Sequence, residues 1–564
     1  MPIIKTIKGT PRLLNEEAKH ATHPSFVGFL SPYLKIHRPR IIFGFFLILF
    51  LSLLALPSPL LMKYLIDEIF LKRKAQGFYL ILFILILFQI IRLIFSFLNS
   101  YVFSNLNHEI ITSIKRDLFY KILRLPMSFF DSHQIGYITS RIDEASGLNT
   151  LFSNSLIGLL IGFFEFLFSL LILFRLQWKL TLISVSILPL FYIAGKFYAA
   201  NIRTASMKMK EKGAQLSKVT QESLFGIEVI KMFTAEDRET EKIYSYLNDL
   251  KKTSIKNSVL LSFSSEGLSL VGAIGGFLVL WFSGVHIIQG SFTIGAYIAY
   301  TAYLAKLYGP ILNIAITGIS LQPALTTLNR VSEYFNIKGE DEDTNRSVII
   351  STISEGLELR KVAFAYDGAD VIKNVSFTLK KGTKTLLKGP NGAGKTTILK
   401  LIMGFYHPRN GQILIDGQDI NFIKLSSLRD RISVVSQKVF LFNDTIYNNI
   451  LYSNPTATKA AVEEAMTLSG LFDFNLGSNE IGELGNRLSG GEKQKVSIAR
   501  AILKDSDMII LDEATSNLDS ESTKRITTLL KDNFNDKICL IVSHREWDEL
   551  NIDKIISIEN GEIS

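Results

Sequence analysis

Six runs in the first part of the chain are each apolar over about the length of a bilayer crossing: roughly 41–61, 78–103, 151–174, 180–198, 259–288 and 292–319. A bilayer core requires ~20 residues of helix, and each run meets that length. One such run could be a buried helix of a soluble protein; six together point to a membrane domain. The first is interrupted by Pro57 and Pro59. Hydrophobic residues make up 48% of the chain beside 20% charged residues, and the runs are where that apolar excess is concentrated.

The spacing of the runs suggests a topology. About fifty residues with helical spacing (105–147) separate the second run from the third. About sixty, carrying Lys208, Lys210, Lys212 and Lys218, separate the fourth from the fifth. The other connections are short. Lys and Arg fill the two long intervals, so the positive-inside bias places these intervals, and both termini, in the cytoplasm. Helices extended out of the membrane as stalks would suit a chain that must touch a cytoplasmic motor. The same bias accounts for the net charge of +9, from 61 basic and 52 acidic residues. The basic residues are scattered between apolar runs and not gathered in a patch, which argues against a nucleic-acid partner.

Residues 1–25 are polar and of mixed charge, with no apolar core ahead of a small-residue cleavage site, so they do not read as a secretory signal. Residues 26–34 are a short amphipathic stretch, long enough to lie along a membrane face but not to cross it. The single cysteine, Cys539, forbids an intrachain disulfide and a multi-cysteine metal site. Its apolar neighbours mark it as a small buried hydrophobe.

The segment 338–347 is acidic and turn-prone, and marks a boundary. From about residue 356 short β-rich runs alternate with helical ones, the signature of an α/β domain. No internal repeat is evident. The chain thus reads as a multi-domain protein: a tail (1–25), an all-α transmembrane domain of six helices with its amphipathic entry (26–335), a linker (336–355), and an α/β P-loop ATPase domain (356–564).

The P-loop is the sequence Gly-Pro-Asn-Gly-Ala-Gly-Lys-Thr-Thr at 389–397, which fits G-x-x-x-x-G-K-[ST] with Gly389, Gly394, Lys395 and Thr396 at the fixed places. An apolar strand-like run precedes it and a helical pattern follows, the context that separates a phosphate-binding loop from a chance glycine cluster. The loop (Asn391, Gly392 and Thr397 included) offers backbone N–H groups, and the helix N-terminus adds partial positive charge, so a triphosphate is held by both. Lys395 can reach the β/γ-phosphates and Thr396 can ligate Mg²⁺. Farther on, Met-Ile-Ile-Leu-Asp-Glu at 508–513 is a buried-strand pattern ending in two carboxylates. Asp512 can hold Mg²⁺, and Glu513, pointing elsewhere, can orient or deprotonate the attacking water.

Between these lies Leu-Ser-Gly-Gly-Glu-Lys-Gln at 488–494, and with it the chain resembles the ATP-binding cassette (ABC) proteins. Other elements resembling that family occur in order. Tyr366 resembles the aromatic that stacks on adenine, and Gln437 the glutamine that senses Mg²⁺ and the attacking water. Residues 516–519 resemble the D-loop, and His544 the switch histidine at the γ-phosphate. Residues 480–485 resemble the segment that touches the membrane-domain helices in exporters; the stretch before it, 470–480, is shorter than usual, which bears on the helical subdomain and not on the catalytic set. The resemblance implies that Ser489, Gly490 and Gly491 complete the ATP site of an opposing subunit. It therefore implies a dimer of half-transporters, a homodimer with two competent sites, or one half of a heterodimer. Residues 116–131 with Gly136 and Arg141, and residues 222–233, resemble the two cytoplasmic loops of exporters of the lipid-flippase and multidrug type. Short coupling helices are then expected near 128–136 and 213–221.

The function implied is ATP-driven export or flipping of an amphipathic substrate across the cytoplasmic membrane, with the motor in the cytoplasm. One half of a peptide or drug exporter, or an ATP-gated regulator, is the alternative. Ionisable residues inside the spans point to cargo, since each costs about 2.5–3.5 kcal/mol to insert. Arg92 and Lys306 each lie about 14 residues into runs that enter from outside, hence at similar depth, ~20 Å down at 1.5 Å per residue. Glu165 and Glu266 are the acidic candidates. If Arg92 and Lys306 line the cavity, the expected cargo is an anionic amphiphile; if they pair with neighbours or snorkel, they are structural.

Overall fold

The computed structural model describes residues 26–73, 77–133, 135–152, 154–342, 346–366, 368–471, 480–515, 520–532, 534–543 and 550–563. The chain divides into two compact units, one taking in residues up to Tyr120 and from Gly136 to Asn336, the other Lys121–Ile135 and Ile337–Ser564.

The first unit is helical. Helix α1 (Phe26–Ile36) is the short amphipathic entry, followed by α2 (Arg38–Leu54) and α3 (Pro57–Tyr64). Pro57 lies in the first turn of α3, where a missing N–H costs nothing. A π-helical turn (Leu65–Phe70) ends this segment, and α4 (Phe78–Ile122) carries the second apolar run far beyond membrane length. Beyond α5 (Met127–Ser132), which falls in the second unit, come α6 (Ile135–Glu144), α7 (Asn154–Ser186) and α8 (Leu188–Phe225). Then α9 (Ile227–Met232), α10 (Glu236–Ile288) and α11 (Ile294–Asn336) complete the unit.

Helix is what these runs must form, because hydrocarbon offers no partner for a backbone N–H or C=O. Among the described residues, four helical stretches are long and apolar enough to cross a membrane: Arg38–Phe70, Phe78–Ile122, Leu156–Phe225 and Glu236–Ile288. The third has 70 residues, about 105 Å if straight, more than three bilayer cores. Gln177, with φ −161° and ψ 97°, breaks it between the third and fourth apolar runs. Inside the unit Tyr300 is fully buried, and its hydroxyl lies 2.9 Å from Ser184 Oγ, so the hydroxyls in this apolar core satisfy each other.

One expected short helix is found and the other is displaced. The first is α5, opened by Pro126 in extended conformation. The second is not at 213–221, which is the interior of α8; it is α9, after a break at Gly226. Gly213 is an isolated glycine in a polar helix, and a cost of ~1 kcal/mol does not end a helix by itself.

The second unit holds two sheets. Strands β1 (Gly356–Tyr366), β2 (Ala369–Lys380), β4 (Asn410–Ile415) and β5 (Gln418–Asp419) form an antiparallel sheet in the order β2-β1-β4-β5. The other sheet also uses β3 (Lys384–Lys388), β6 (Ile432–Val435), β7 (Met508–Asp512), β8 (Ile538–Val542), β9 (Lys554–Glu559) and β10 (Glu562–Ile563), in the order β10-β9-β3-β8-β7-β6. All its pairings are parallel except β10 with β9. Both faces of the central strands are covered, which is why β8 is buried at every residue. Helices α12 (Lys395–Ile402), α13 (Leu425–Asp430), α14 (Ile446–Leu451), α15 (Lys459–Ser469), α16 (Gly490–Lys504) and α17 (Ser520–Asp532) complete the unit.

Candidate functional site

Strand order builds the site. Ligands of open parallel sheets bind beyond the carboxyl ends of the strands. Here adjacent strands β3, β8, β7 and β6 end at Lys388, Val542, Asp512 and Val435. The P-loop leaves β3, the carboxylate pair leaves β7, and Gln437 lies two residues beyond β6. Neighbouring strands are ~4.8 Å apart, so residues as distant in sequence as Lys388 and Val542 meet at one rim.

The P-loop is shaped by close approaches that only glycine permits. A Cβ on Gly389 would lie 2.3 Å from the Ile558 carbonyl oxygen. Gly394, the N-cap of α12, has φ +101°, and a Cβ there would lie 2.5 Å from Ile372 Cδ1. Asn391, Gly392 and the Thr396 hydroxyl bearer are exposed, whereas Lys395 and Thr397 are buried. Lys395 Nζ donates to the Gly389 (2.6 Å) and Pro390 (2.9 Å) carbonyls. Burial holds its ammonium below the ordinary lysine range, and the charges of Glu513 and Asp512 act against that shift.

Asp512 is pushed the other way. Burial raises its carboxyl, the adjacent Glu513 charge raises it further, and Lys395 offsets part of this. Glu513 takes a left-handed backbone (φ +49°), a conformation costly for a residue with a Cβ. Its N–H donates to Val542 O at 2.9 Å, which ties the turn to β8. This turn separates the two carboxylates, and the Glu513 carboxylate accepts a short hydrogen bond from Gln437 Nε2. Lys395, Asp512 and Glu513 thus form one electrostatic group, with Gln437, expected there from the family resemblance, bonded to it.

The signature opens another helix. Ser489 is the N-cap of α16, with Gly490 and Gly491 in its first turn. Its hydroxyl is engaged with Glu492 in a capping box, Ser489 N donating to Glu492 Oε2 at 2.7 Å and Glu492 N to Ser489 Oγ at 3.3 Å. The first N–H groups of a helix have no intrahelical acceptor, and the capping box satisfies only part of that set. Gln494, one turn on and buried, donates to the Glu513 carbonyl at 3.2 Å, a link between signature and carboxylate turn that motif spacing did not announce. His544 and the D-loop residues 516–519 lie outside the described residues. Tyr366 ends β1 on the other sheet, half-buried and packed edge-on against Phe364 (4.7 Å) and Tyr406 (5.2 Å).

A P-loop, a carboxylate turn beside its lysine and a signature serine capping its helix agree with the family models that match this sequence: "ABC transporter transmembrane region" over residues 41–311 and "ABC transporter" over residues 372–516. The chain belongs to the ABC transporter family. An ATP-dependent lipid A-core flippase of Syntrophus aciditrophicus is 30% identical to it over 534 residues, 93% of this chain and 89% of that protein. A Bacillus subtilis protein named for multidrug export, YgaD, is 29% identical, with 95% of this chain and 94% of that one covered. The fold is similar to that of a bacterial Atm1-family ABC exporter solved with ATP bound, with a TM-score of 0.83, 24% identity, and 94% and 95% of the two chains covered. This ABC transporter chain couples ATP hydrolysis in its second unit to transport by its first.

Three of the four ionisable residues singled out in the apolar runs meet on one carboxylate. Arg92 Nη2 lies 3.5 Å and Lys306 Nζ 3.6 Å from the same Glu165 Oε1. Three residues distant in sequence, on α4, α7 and α11, thus share a depth, with two positive charges on one negative. Glu266 is exposed on α10 and does not join them.

Proposed function

We propose that the chain is one half of a homodimeric exporter that flips an anionic amphiphile across the cytoplasmic membrane, its motor on the cytoplasmic side. The observation that carries the cargo class is the Arg92–Glu165–Lys306 cluster: one carboxylate neutralises one cation, and a net positive charge is left in a low-dielectric setting. A headgroup bearing phosphate or carboxylate is the natural counter-ion, and an acyl chain suits the apolar surroundings. The flippase named for lipid A-core among the relatives is consistent with this.

In the motor, we assign the P-loop N–H groups and Lys395 to the triphosphate, Tyr366 to adenine, and Ser489, Gly490 and Gly491 to the γ-phosphate of the opposing copy. The oxygens of Thr396, Asp512 and Gln437 are hard donors of the kind Mg²⁺ takes. When bound, the ion neutralises charge on the phosphates. Glu513 takes the proton of the attacking water, Gln437 holds the Glu513 carboxylate in place, and His544 is the remaining γ-phosphate contact. Two ATPs bridging two motors favour closure, and loss of the γ-phosphate releases it.

The test is ATPase stimulation in nanodiscs by anionic lipids, compared with zwitterionic ones. Arg92→Ala/Lys306→Ala is expected to keep basal turnover and lose the anionic stimulation. Loss of basal turnover instead would assign the pair a structural role, and equal stimulation by zwitterionic lipid would refute an anionic cargo.

A further inference from the structure

The loop Lys121–Ile135 belongs to the same compact unit as the ATPase residues, although both its ends continue into helices of the other unit. Its residue Asp131, at the end of α5, makes two contacts in the motor through one oxygen. Tyr406 donates its hydroxyl to Asp131 Oδ2 at 2.5 Å, and Lys400 Nζ lies 3.0 Å from the same oxygen. Burial acts to raise this carboxyl, but the hydrogen bonds from Tyr406 and Lys400 prevail and hold it below the ordinary aspartate range.

Tyr406 in turn meets Tyr366 edge-on, with ring centroids 5.2 Å apart and planes at 85°. Phe364 packs against both, 4.7 Å from Tyr366 and 5.3 Å from Tyr406. Lys400 Nζ sits 5.9 Å from the Tyr366 centroid and 5.6 Å from that of Tyr406. Edge-to-face packing is directional, so the plane of Tyr366 depends on where Tyr406 stands. Tyr406 follows α12 in a turn, and the hydrogen bond of its hydroxyl to Asp131 holds the far end of the ring.

We propose that Asp131, acting through Tyr406, is a positioning residue for the ring of Tyr366 that stacks on adenine. The proposal rests on the reading of Tyr366 given above. It makes the purine-binding surface depend on a residue supplied by the first cytoplasmic loop. An acceptor at 131 and a donor at 406 are both required, and Lys400 fixes the acceptor's orientation.

The experiment is ATPase rate against ATP concentration for full-length protein in nanodiscs. Tyr406→Phe and Asp131→Ala are each expected to raise KM for ATP by about 3- to 10-fold with kcat within about twofold. Asp131→Asn, which keeps an acceptor oxygen, should fall between Asp131→Ala and the parent. In a Tyr366→Ala background, Tyr406→Phe should add nothing, because the ring it positions is gone. Should Tyr366→Ala raise KM while the two distal variants leave it at the parent value, the relay is overturned and the adenine reading stands. An unchanged KM in Tyr366→Ala would overturn both. A fall in kcat alone in Asp131→Ala would make the loop contact merely structural and overturn the relay.

Discussion

Gln437 donates its side-chain amide to the carboxylate of Glu513, joining the residue beyond β6 to the residue beyond β7. The bond ties the Glu513 carboxylate to the side chain beyond the neighbouring strand. Glu513→Gln would remove the proposed base and preserve the shape. Steady-state phosphate release is expected to fall by about 10²- to 10³-fold, with ATP affinity within about twofold of the parent. Unchanged release would show that Glu513 is not the base.

Asp512 is expected to weaken the nucleotide-free fold at neutral pH. Its folded carboxyl titrates above the ordinary value of 3.8, chiefly through burial and then through Glu513. In the window above 3.8 the folded chain still holds a proton that the unfolded chain has released. Stability therefore falls as pH rises through that window. Asp512→Asn should raise Tm of the nucleotide-free protein at pH 7 by about 1–3 °C and abolish Mg²⁺-dependent hydrolysis. A lowered Tm would contradict the electrostatic account.

The candidate site was readable from the residues because its parts are local: a glycine loop between strand and helix, a strand running into Asp512 and Glu513, a serine opening α16. Each is fixed by backbone chemistry within about ten positions. What the residues did not disclose is pairing at long range. Helical spacing gave Arg92 and Lys306 a common depth, but nothing in it indicated that both meet Glu165, since a helix fixes the face of a side chain and not its partner. Asp131 was one letter of a loop, and its bond to Tyr406 crosses 275 positions. The second short helix lies at Ile227–Met232 and not at 213–221, because the chain breaks at Gly226.

Lys121 and Glu342 are an unequal pair. The lysine side chain is 5% exposed and the glutamate 55%, with Nζ 2.6 Å from Oε1. Glu342→Ala leaves a buried ammonium without its carboxylate and should cost about 1–3 kcal/mol. Lys121→Met leaves only a wet carboxylate and should cost under about 1 kcal/mol. Denaturant unfolding of the two variants checks the order; a larger loss from Lys121→Met would contradict it.

Cys539 is expected to be inert. It is 1% exposed on β8, and burial pushes its thiol up to about 11. At pH 8 about one thiol in a thousand would be ionised even with free access. Maleimide should therefore leave the native chain unlabelled over hours and modify it at once in denaturant. Rapid native labelling would show that β8 opens locally.

Ser489 caps α16 through Glu492, and the proposed assignment gives this helix end to the ATP of an opposing copy; the central claim is that two copies are needed to enclose ATP. The direct measurement is turnover per chain in nanodiscs that hold one copy or two, sorted and counted by native mass. Discs with two copies are expected to hydrolyse ATP, and discs with one to fall at least about 100-fold lower. Equal turnover per chain from single-copy discs would contradict the account.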